Sequence, residues 1–338
     1  MLFRSTLGPA IAQVGGQMDH MAYYNAKGEL LTGFSLQPLI DRVGQRPYPV
    51  TRTELQQLLL NAIAPGTVRL YAKCIAVEQD SESVTAIFEN GDRITGDVLI
   101  AADGTHSVLR NYVMGREVQR RSVGYVNWNG LVPMSDDLAP KTSWDMYVGH
   151  HQRASFMPVG GDRFYFFLDV PLPLGTVGSP KNSPETYREE LSIAFKDWAN
   201  PVQQLIQRLN PATTTRVEIH DTEPLTHLVR GRVALLGDAA HSMAPDLGQG
   251  GCQALEDAWV LANYLCTTTL SVEDALLRYE TARLDRVTNI THLARKRSDV
   301  THGKDPIATQ EWYEELTRED GESIISAITK SILGGPLN

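Results

Sequence analysis

A strand-like apolar run, two carboxylates and a cluster of glycines follow one another between residues 231 and 258, in the order GRVALLGDAAHSMAPDLGQGGCQALEDA. The apolar run predicts a buried parallel strand that ends at Gly237 and Asp238. This would place the Asp238 carboxylate at the carboxyl edge of a sheet, where open α/β sheets bind their ligands. A carboxylate at this position can accept a hydrogen bond from a ribose or ribityl hydroxyl group.

The glycine-rich part of this stretch predicts a second ligand contact. It leads from Asp246 through DLGQGG into a predicted helix, so unpaired N–H groups and the positive end of the helix dipole face the same crevice. Glycines there allow the backbone to approach a ligand closely. This arrangement fits a bulky planar ligand that gains negative charge during turnover, and a reduced flavin is such a ligand.

A second strand-edge carboxylate occurs in the segment DVLIAADGTHSVLR. Its apolar run predicts a strand that ends before Asp103 and Gly104, and a helix that contains Arg110 follows. Asp103 and Asp238 can each simply cap the following helix, as aspartate often does. Because the same strand-to-carboxylate arrangement occurs twice, we interpret both as ligand-binding positions.

Together the two motifs resemble those of the flavin-dependent aromatic monooxygenases of the para-hydroxybenzoate hydroxylase type. ADGTHSVLR is similar to the Asp-Gly motif of that family, GRVALLGDAAH followed by GQGG to its Gly-Asp motif, and YETARLDR to its C-terminal Tyr-Glu-x-x-Arg signature. The resemblance spans most of the chain. It implies an FAD cofactor, NADH or NADPH as reductant, and delivery of oxygen from O2 to the substrate through a C4a-hydroperoxyflavin.

The resemblance also implies which residues contact the cofactor. Arg52, in RTELQQLL, matches the arginine of the family helix that borders the flavin. On its own, Arg52 is as well explained as a surface ion-pair partner, the usual role of arginine. The residues assigned to FAD are Arg52, Cys74, Asp103, Asp238, Gly248, Gln249, Gly250, Gly251 and Cys252.

Segments outside the flavin motifs resemble the family members that hydroxylate urate. They are FSLQPLIDRVGQRPYPVTRTELQ, GYVNWNGLVP, RFYFFLDVPLP, RVEIHDTEPL and KRSDVTHGKD. This similarity implies that the small-molecule substrate is urate, converted to 5-hydroxyisourate in purine catabolism. A phenolic or heteroaromatic acid is the alternative substrate.

An electrophilic oxygen reacts with an electron-rich ring, so the substrate site must orient an anion and exclude water. Arg153, which opens RASFMPV, can hold urate oxygens with its planar guanidinium, and Asn127 offers a donor and an acceptor to a purine edge. Tyr165 can contact the ring or its oxygens, and Gln249 can reach both ring systems. Asp246 can orient or deprotonate the substrate. The candidate catalytic residues are therefore Arg153, Tyr165 and Asp246, and the substrate-binding residues are Asn127, Arg153 and Gln249.

Each of these residues also has a purely structural interpretation. Asp246 can cap the helix after Gly251, and the sequence leaves this role and a catalytic role equally open. Arg153 can form a surface ion pair. Tyr165 and Asn127 can be a core tyrosine and a strand-edge amide. No spacing of potential ligands indicates a metal site.

One part of the family pattern is not found in this sequence. Family members open with a strand-turn-helix unit that carries GxGxxG and cradles the ADP pyrophosphate, followed by an acidic residue on the ribose, and neither feature occurs here. We therefore expect an N-terminally truncated domain that keeps the flavin-ring and substrate positions, loses most FAD affinity and exposes an apolar sheet edge. The alternative functions that follow are an inactive fragment, or a complement to a separately encoded N-terminal piece.

Several elements must position these residues. HMAYYN and LLTGFSL predict a hairpin, RTELQQLLLNAI a helix, and TVRLYAKCIAVEQD, SVTAIFEN and RITGDVLIAADG three strands. Aromatic and β-branched segments between residues 122 and 220 predict a second sheet with an inserted helix, PETYREELSIAFKDWA. RVALLGD then returns to the first sheet and is followed by helices.

These elements predict an α/β fold, with a Rossmann-like FAD-binding domain of the para-hydroxybenzoate hydroxylase type and an inserted mixed β-sheet substrate domain. The FAD-binding domain is discontinuous, at 46–121 and 222–300. The substrate domain comprises 17–45 and 122–221. Residues 301–338 are predicted to form a C-terminal helical tail.

Composition excludes several other classes of protein. A net charge of -9 and an isoelectric point near 5.5 argue against a nucleic-acid partner, and no apolar run is long enough to span a membrane. We expect a cytosolic protein; the oligomeric state is not predicted. The cysteines Cys74, Cys252 and Cys266 lack CxxC spacing, which favours a reducing compartment and small buried apolar side chains.

Overall fold

The computed structural model describes residues 7–173, 183–267 and 269–336. Parts of the predicted substrate domain at 174–182, and of the helical tail at 337–338, lie outside the described residues.

The strands occur in groups that are separated by helices. They are β1 (His20–Asn25), β2 (Leu30–Ser35), β3 (Cys74–Gln79), β4 (Val84–Phe88), β5 (Arg93–Gly96), β6 (Leu99–Ala101), β7 (Arg120–Pro133), β8 (Ser143–Gly149), β9 (Gln152–Val159), β10 (Arg163–Pro171), β11 (Thr215–Thr222), β12 (Val229–Arg230) and β13 (Val233–Leu235).

The longest helices follow β13. The helices are α1 (Gly8–Val14), α2 (Gln37–Val43), α3 (Arg52–Asn61), α4 (Leu109–Met114), α5 (Tyr187–Ala194), α6 (Asn200–Arg208), α7 (Asp238–His241), α8 (Gly250–Leu265), α9 (Val272–Thr301), α10 (Pro306–Leu316) and α11 (Glu322–Leu333), with short 3-10 turns at Pro184–Thr186, Pro211–Thr213 and Pro245–Leu247. None of the described helices is both long enough and apolar enough to cross a membrane.

The larger sheet has seven strands in the order β11-β7-β10-β9-β8-β1-β2. The predicted hairpin forms as β1 and β2, and β1 joins the other strands by parallel pairing with β8. Side chains alternate across the sheet. One face packs against α5 and α6 through an aromatic core that includes Phe156, Phe164 and Phe166. The opposite face carries Asn127 and Arg153, so it is the face on which a substrate site can form.

Two smaller sheets make up the other half of the fold. β13 pairs with β12 and, in parallel, with β6, where Leu235 lies opposite Ala101. β3, β4 and β5 form a separate antiparallel sheet. The prediction of one continuous strand from RITGDVLIAADG is wrong, because β5 ends at Gly96 and β6 begins in the other sheet. Leu99 N donates to Arg232 O (2.9 Å), which aligns β6 with β13 instead.

The apolar strand β6 has an open edge. Among the described residues its one hydrogen-bonded neighbour is β13, and Ile100 is 43% exposed. A strand edge of this kind is able to pair with a further strand.

Helix α9 holds the short parallel sheet in place through three side chains of the segment YETARLDR. The hydroxyl of Tyr279 donates to Leu235 O (2.8 Å). The carboxylate of Glu280 accepts from Val229 N (2.8 Å). Arg283 reaches α8 instead. This short segment therefore connects α9 with β12, β13 and α8.

The guanidinium of Arg283 is fully buried and is surrounded by acceptors from α8. Its Nε donates to Asp257 (2.7 Å), its Nη1 to Glu256 (2.6 Å) and its Nη2 to the Gln253 side chain (2.7 Å). A buried charge is tolerated when it is paired and hydrogen-bonded in this way. Removing one partner leaves the others charged and desolvated.

We expect Arg283→Met to lower the free energy of unfolding by about 3–5 kcal/mol, because the fully buried carboxylate of Asp257 loses its guanidinium partner. Urea unfolding followed by circular dichroism measures the change. The matched control is Arg42→Met, which removes an ion pair to Glu322 whose side chains are 36% and 60% exposed; such pairs contribute about 0–1 kcal/mol. Equal losses in the two variants would contradict this account.

Candidate active site

The Gly-Asp loop is shaped by a contact that only glycine permits. Gly237 follows β13 with a positive φ of 62°, and a Cβ on it would lie 3.1 Å from the Ala254 side chain. Its N–H donates to Asp257 (2.9 Å), which also lies 2.6 Å from His241 Nε2. Burial alone would raise the pKa of Asp257, but His241 and Arg283 hold it below its usual value. The loop therefore rests on the same buried charges as α8 and α9.

Arg110 brings the two predicted carboxylate loops together. Its side chain is buried and donates to the carbonyl groups of Asp238 (2.6 Å) and Ala239 (2.7 Å). It also donates to those of Thr105 (3.1 Å) and Gly104 (3.3 Å). The sequence placed Arg110 in the helix after Asp103 but did not reveal this role, since the acceptors at Asp238 and Ala239 lie far away in the chain.

The two aspartates differ in what they contact. Asp103 Oδ2 accepts from Val108 N (3.0 Å) and Leu109 N (3.4 Å), so it does cap α4. The carboxylate of Asp238 accepts from no described residue and lies beside the start of α8, where a Cβ on Gly250 would be 3.8 Å from its Oδ1. Asp238 is therefore the carboxylate that remains available to a ligand hydroxyl.

The glycine turn leaves open space at the start of α8. Gly248 has a positive φ of 64°, and a Cβ built on Gly248 or Gly251 would meet nothing within 4 Å. The helix begins at Gly250, and Gln249 at its N-cap makes no side-chain cap. The first N–H groups of α8 thus face a region into which a planar ligand can fit.

Asp246 points away from α8 and toward the large sheet. Its carboxylate accepts from Arg153 Nη2 (2.8 Å) and from the hydroxyl of Tyr125 (2.8 Å). The interpretation of Asp246 as the cap of α8 is therefore wrong. Arg153 also donates through Nε to Asp169 (2.9 Å), and its guanidinium lies 5.2 Å from the centre of the Phe167 ring. Arg153 is thus ion-paired, but in the interior and not at the surface.

This arrangement determines the charge on Asp246. Burial alone would raise the pKa of its carboxyl, but Arg153 and the hydrogen bonds from His302 and Tyr125 hold it well below its usual range. Burial and the charges of Asp246 and Asp169 raise the pKa of Tyr125 well above its ordinary value. Near neutral pH, Asp246 is therefore ionised and Tyr125 is neutral.

Asn127 and Tyr165 lie on the same face of the sheet as Arg153. The amide of Asn127 is partly used within the protein, since its Nδ2 donates to Asp169 (2.7 Å) and its Oδ1 accepts from Asn129 (2.6 Å). Tyr165 is half-buried, and burial followed by the charge of Asp169 raises its pKa to about 12. Tyr165 is thus a neutral donor at neutral pH, and Asn127 mainly positions Asp169.

Three site residues were not predicted: Tyr125, Asp169 and His302. Asp169 ends the run RFYFFLD, and its alternation with Tyr165 and Phe167 is a signal that could have identified it. His302 stacks on Tyr125 with ring centres 3.7 Å apart, and its Nε2 lies 3.2 Å from Asp246. No local pattern identifies His302, because it reaches the site from the end of α9.

The remaining predicted cofactor residues occupy less enclosed positions. Arg52 is exposed at the start of α3, near Glu54, which pairs with Arg163 of β10 (2.5 Å). Cys252 is exposed on α8 and Cys74 is half-buried at the start of β3. Cys266 is also exposed, so the interpretation of the three cysteines as buried apolar side chains is wrong.

The stability contributed by Asp246 should depend on pH with a defined sign. Its pKa is lower in the folded chain than in the unfolded chain, where it is about 3.9. Its contribution is therefore fully present above that value and is lost as the pH falls below it toward the folded pKa. We expect Asp246→Asn to destabilise the protein by about 3 kcal/mol at neutral pH, and the difference from wild type to shrink below about pH 4. Urea unfolding at several pH values measures this.

The matched control is Asp137→Asn at the exposed pair with Arg208, which should change stability much less at neutral pH. A loss of stability for Asp246→Asn that stays constant down to the most acidic pH would contradict the lowered pKa of Asp246 in the folded chain.

Comparison with known proteins agrees with this geometry. A family profile described as an FAD binding domain matches residues 12–294. The chain is 50% identical to an FAD-dependent urate hydroxylase of Klebsiella pneumoniae over 98% of this chain and 85% of that protein. It is 46% identical to an enzyme of the same name from Mycolicibacterium vanbaalenii, over 96% of this chain and 82% of that protein.

Among solved structures, Klebsiella pneumoniae HpxO complexed with FAD and uric acid matches with a TM-score of 0.96 and 49% identity, over 100% of this chain and 86% of that one. The fold, the two carboxylate loops, the glycine turn and these similarities lead to one conclusion. The chain belongs to the FAD-dependent aromatic monooxygenases of the para-hydroxybenzoate hydroxylase type, in the branch that contains the FAD-dependent urate hydroxylases.

Proposed function

We propose that this protein binds FAD and hydroxylates urate to 5-hydroxyisourate with O2 and NADH or NADPH, in a cytosolic location. The observation that carries the proposal is the buried pair between Arg153 and Asp246 (2.8 Å). Asp246 belongs to the glycine turn, and Arg153 belongs to the polar face of the large sheet. The cofactor turn and the substrate face therefore form one site, as a reaction between a bound flavin and a bound ring requires.

The chain offers FAD a suitable set of groups. Asp238 presents a free carboxylate for a hydroxyl of the ribityl or ribose chain. The N-terminus of α8, with Gly250 and Gly251, presents N–H groups and the positive end of the helix dipole to the part of the flavin that becomes negative on reduction. When bound, FAD takes electrons from the reduced nicotinamide and activates O2 for transfer to the substrate.

The groups on the sheet face suit a planar, oxygen-bearing ring. None of the described residues accepts a hydrogen bond from Arg153 Nη1, so this nitrogen is available to a substrate oxygen. Asp169 and Asp246 hold the guanidinium in a fixed orientation, which supports planar recognition. Tyr165 can donate to a second oxygen, since its raised pKa keeps the hydroxyl protonated.

Asp246 acts in this proposal as an orienting group and not as the base that deprotonates the substrate. Its low pKa makes it a weak proton acceptor near neutral pH. Its role is to hold Arg153 and the hydroxyl of Tyr125 in place. The electron-rich substrate is then urate already bound as an anion, so that no proton needs to be removed from it within the site.

The proposal is tested by titrating the purified chain with FAD and following urate-dependent oxidation of NADH and NADPH, with the product identified by mass. We expect saturable but weak FAD binding, because the sequence contains no GxGxxG motif for the ADP pyrophosphate, and turnover with urate at saturating FAD. A substrate panel that includes salicylate-like and pyridine acids tests the alternative substrate class. Turnover of one of these acids without turnover of urate would show that the acid, and not urate, is the substrate. Absence of FAD binding would favour the inactive-fragment alternative.

We further expect Arg153→Gln to lower kcat/KM for urate about 100-fold, because a charge-assisted contact to the substrate is lost. The matched control is Arg121→Gln at the other end of the sheet, where the arginine is 39% exposed and pairs with Asp221; its kcat/KM should stay close to that of wild type. FAD affinity and the circular dichroism spectrum of both variants check that the fold is kept. An unchanged kcat/KM in Arg153→Gln would contradict the role of Arg153.

A further inference from the structure

A second arginine, Arg297, reaches toward the site from the last turns of α9. Its guanidinium lies 4.1 Å from the centre of the Trp312 ring on α10. Among the residues that the structure describes, none forms an ion pair or a hydrogen bond with the Arg297 side chain, whose observed contact is with the Trp312 ring. The side chain is half-buried. A guanidinium in such a position keeps its donors available to a ligand.

Arg297 lies within the electrostatic range of the substrate face. Burial has the largest effect on the pKa of Arg297 and lowers it. The charge of Arg153 lowers this pKa further, whereas Tyr23, Asp246 and Glu315 raise it. Tyr23 belongs to β1, next to β8 in the large sheet. Trp312 packs in one apolar cluster with Tyr23 and Met146, and Phe167 packs against this cluster. The Phe167 ring lies 5.2 Å from the Arg153 guanidinium, so the contact with Trp312 places Arg297 on the side of the sheet that carries Arg153.

The charges around Arg153 show why a second cation matters. Arg153 is paired with both Asp169 (2.7 Å) and Asp246 (2.8 Å). Two carboxylates thus face one guanidinium, so the three groups together carry a net negative charge, which repels an anionic ring in a site of low dielectric constant. Arg153 can orient such a ring, but its own charge is already compensated. The positive charge that attracts the anion has to come from another group.

We propose that Arg297 is this group: a substrate-binding residue that makes the site select the anionic form of its ring substrate. The inference rests on the proposed function, in which that anion is urate. The contact with the Trp312 ring limits the rotamer freedom of Arg297 before substrate binds. The two arginines then have different roles, because Arg153 orients the ring and Arg297 supplies a positive charge that no carboxylate compensates.

The test compares Arg297→Gln and Arg297→Lys with wild type, with Lys296→Gln as the matched control. Lys296 is exposed on the same helix, so its substitution removes an equal charge without touching the site. Dissociation constants are measured by calorimetry at neutral pH on chains saturated with oxidised FAD. The probes are urate, salicylate as a second anionic ring, and hypoxanthine as an uncharged purine, each at low and high salt.

We expect Arg297→Gln to weaken urate binding about tenfold or more, with a smaller loss in Arg297→Lys, no loss in Lys296→Gln and little change for hypoxanthine. The loss should also be smaller at high salt, because screening weakens the attraction. Equal weakening of urate and hypoxanthine would show that Arg297 acts through packing alone and would overturn the inference. So would an unchanged dissociation constant for every anionic ring that wild type binds.

The same data separate this inference from the proposed function. If wild type binds salicylate and not urate, the urate proposal fails, while the loss of salicylate binding in Arg297→Gln still supports the anion-selecting role. If wild type binds urate and Arg297→Gln binds it equally well, the proposed function stands and the inference fails. If wild type binds neither anion, both are overturned.

Discussion

The buried ion pair between Arg153 and Asp246 is the interaction on which the site depends. Asp246 comes from a turn between β13 and α8, and Arg153 comes from the middle of the large sheet, so the pair joins the two halves of the fold at the place where cofactor and substrate must meet. Asp169, Tyr125 and His302 make further hydrogen bonds to the pair, which leave only Nη1 of Arg153 without an acceptor among the described residues. A buried charge pair costs desolvation energy and specifies one geometry only when it is satisfied in this way.

Helix α9 helps to fix the position of this pair, because it contacts both halves of the fold. Its early turns bind β12, β13 and α8 through Tyr279, Glu280 and Arg283. Its C-terminal end brings His302 onto Tyr125 and Asp246, and it carries Arg297 to the same face. One rigid element thus connects the Gly-Asp loop to the far side of the substrate face, and a shift of the helix would disturb both.

Much of the fold could be predicted from local patterns. Alternating and apolar runs identified the hairpin β1–β2, the strands β4 and β13 and the helix α3, whose Thr51 cap accepts from Glu54 N (3.2 Å). The patterns failed where the chain changes sheets, between β5 and β6. There the local sequence is equally suited to one strand or two, and the hydrogen bond from Leu99 to Arg232 decides between them. A contact between residues so far apart in the chain has no local signature.

The sequence by itself determined the chemistry that the protein can offer: strand-edge carboxylates, a glycine turn before a helix, and arginine, tyrosine and amide side chains on neighbouring strands. Only the tertiary structure decided what each side chain does. It made Asp103 a cap and left Asp238 free, turned Asp246 from a candidate cap into the partner of Arg153, and added His302 from the end of α9. The reason is physical, because pKa, burial and hydrogen-bond partners depend on neighbours in space, and those neighbours are distant in the chain.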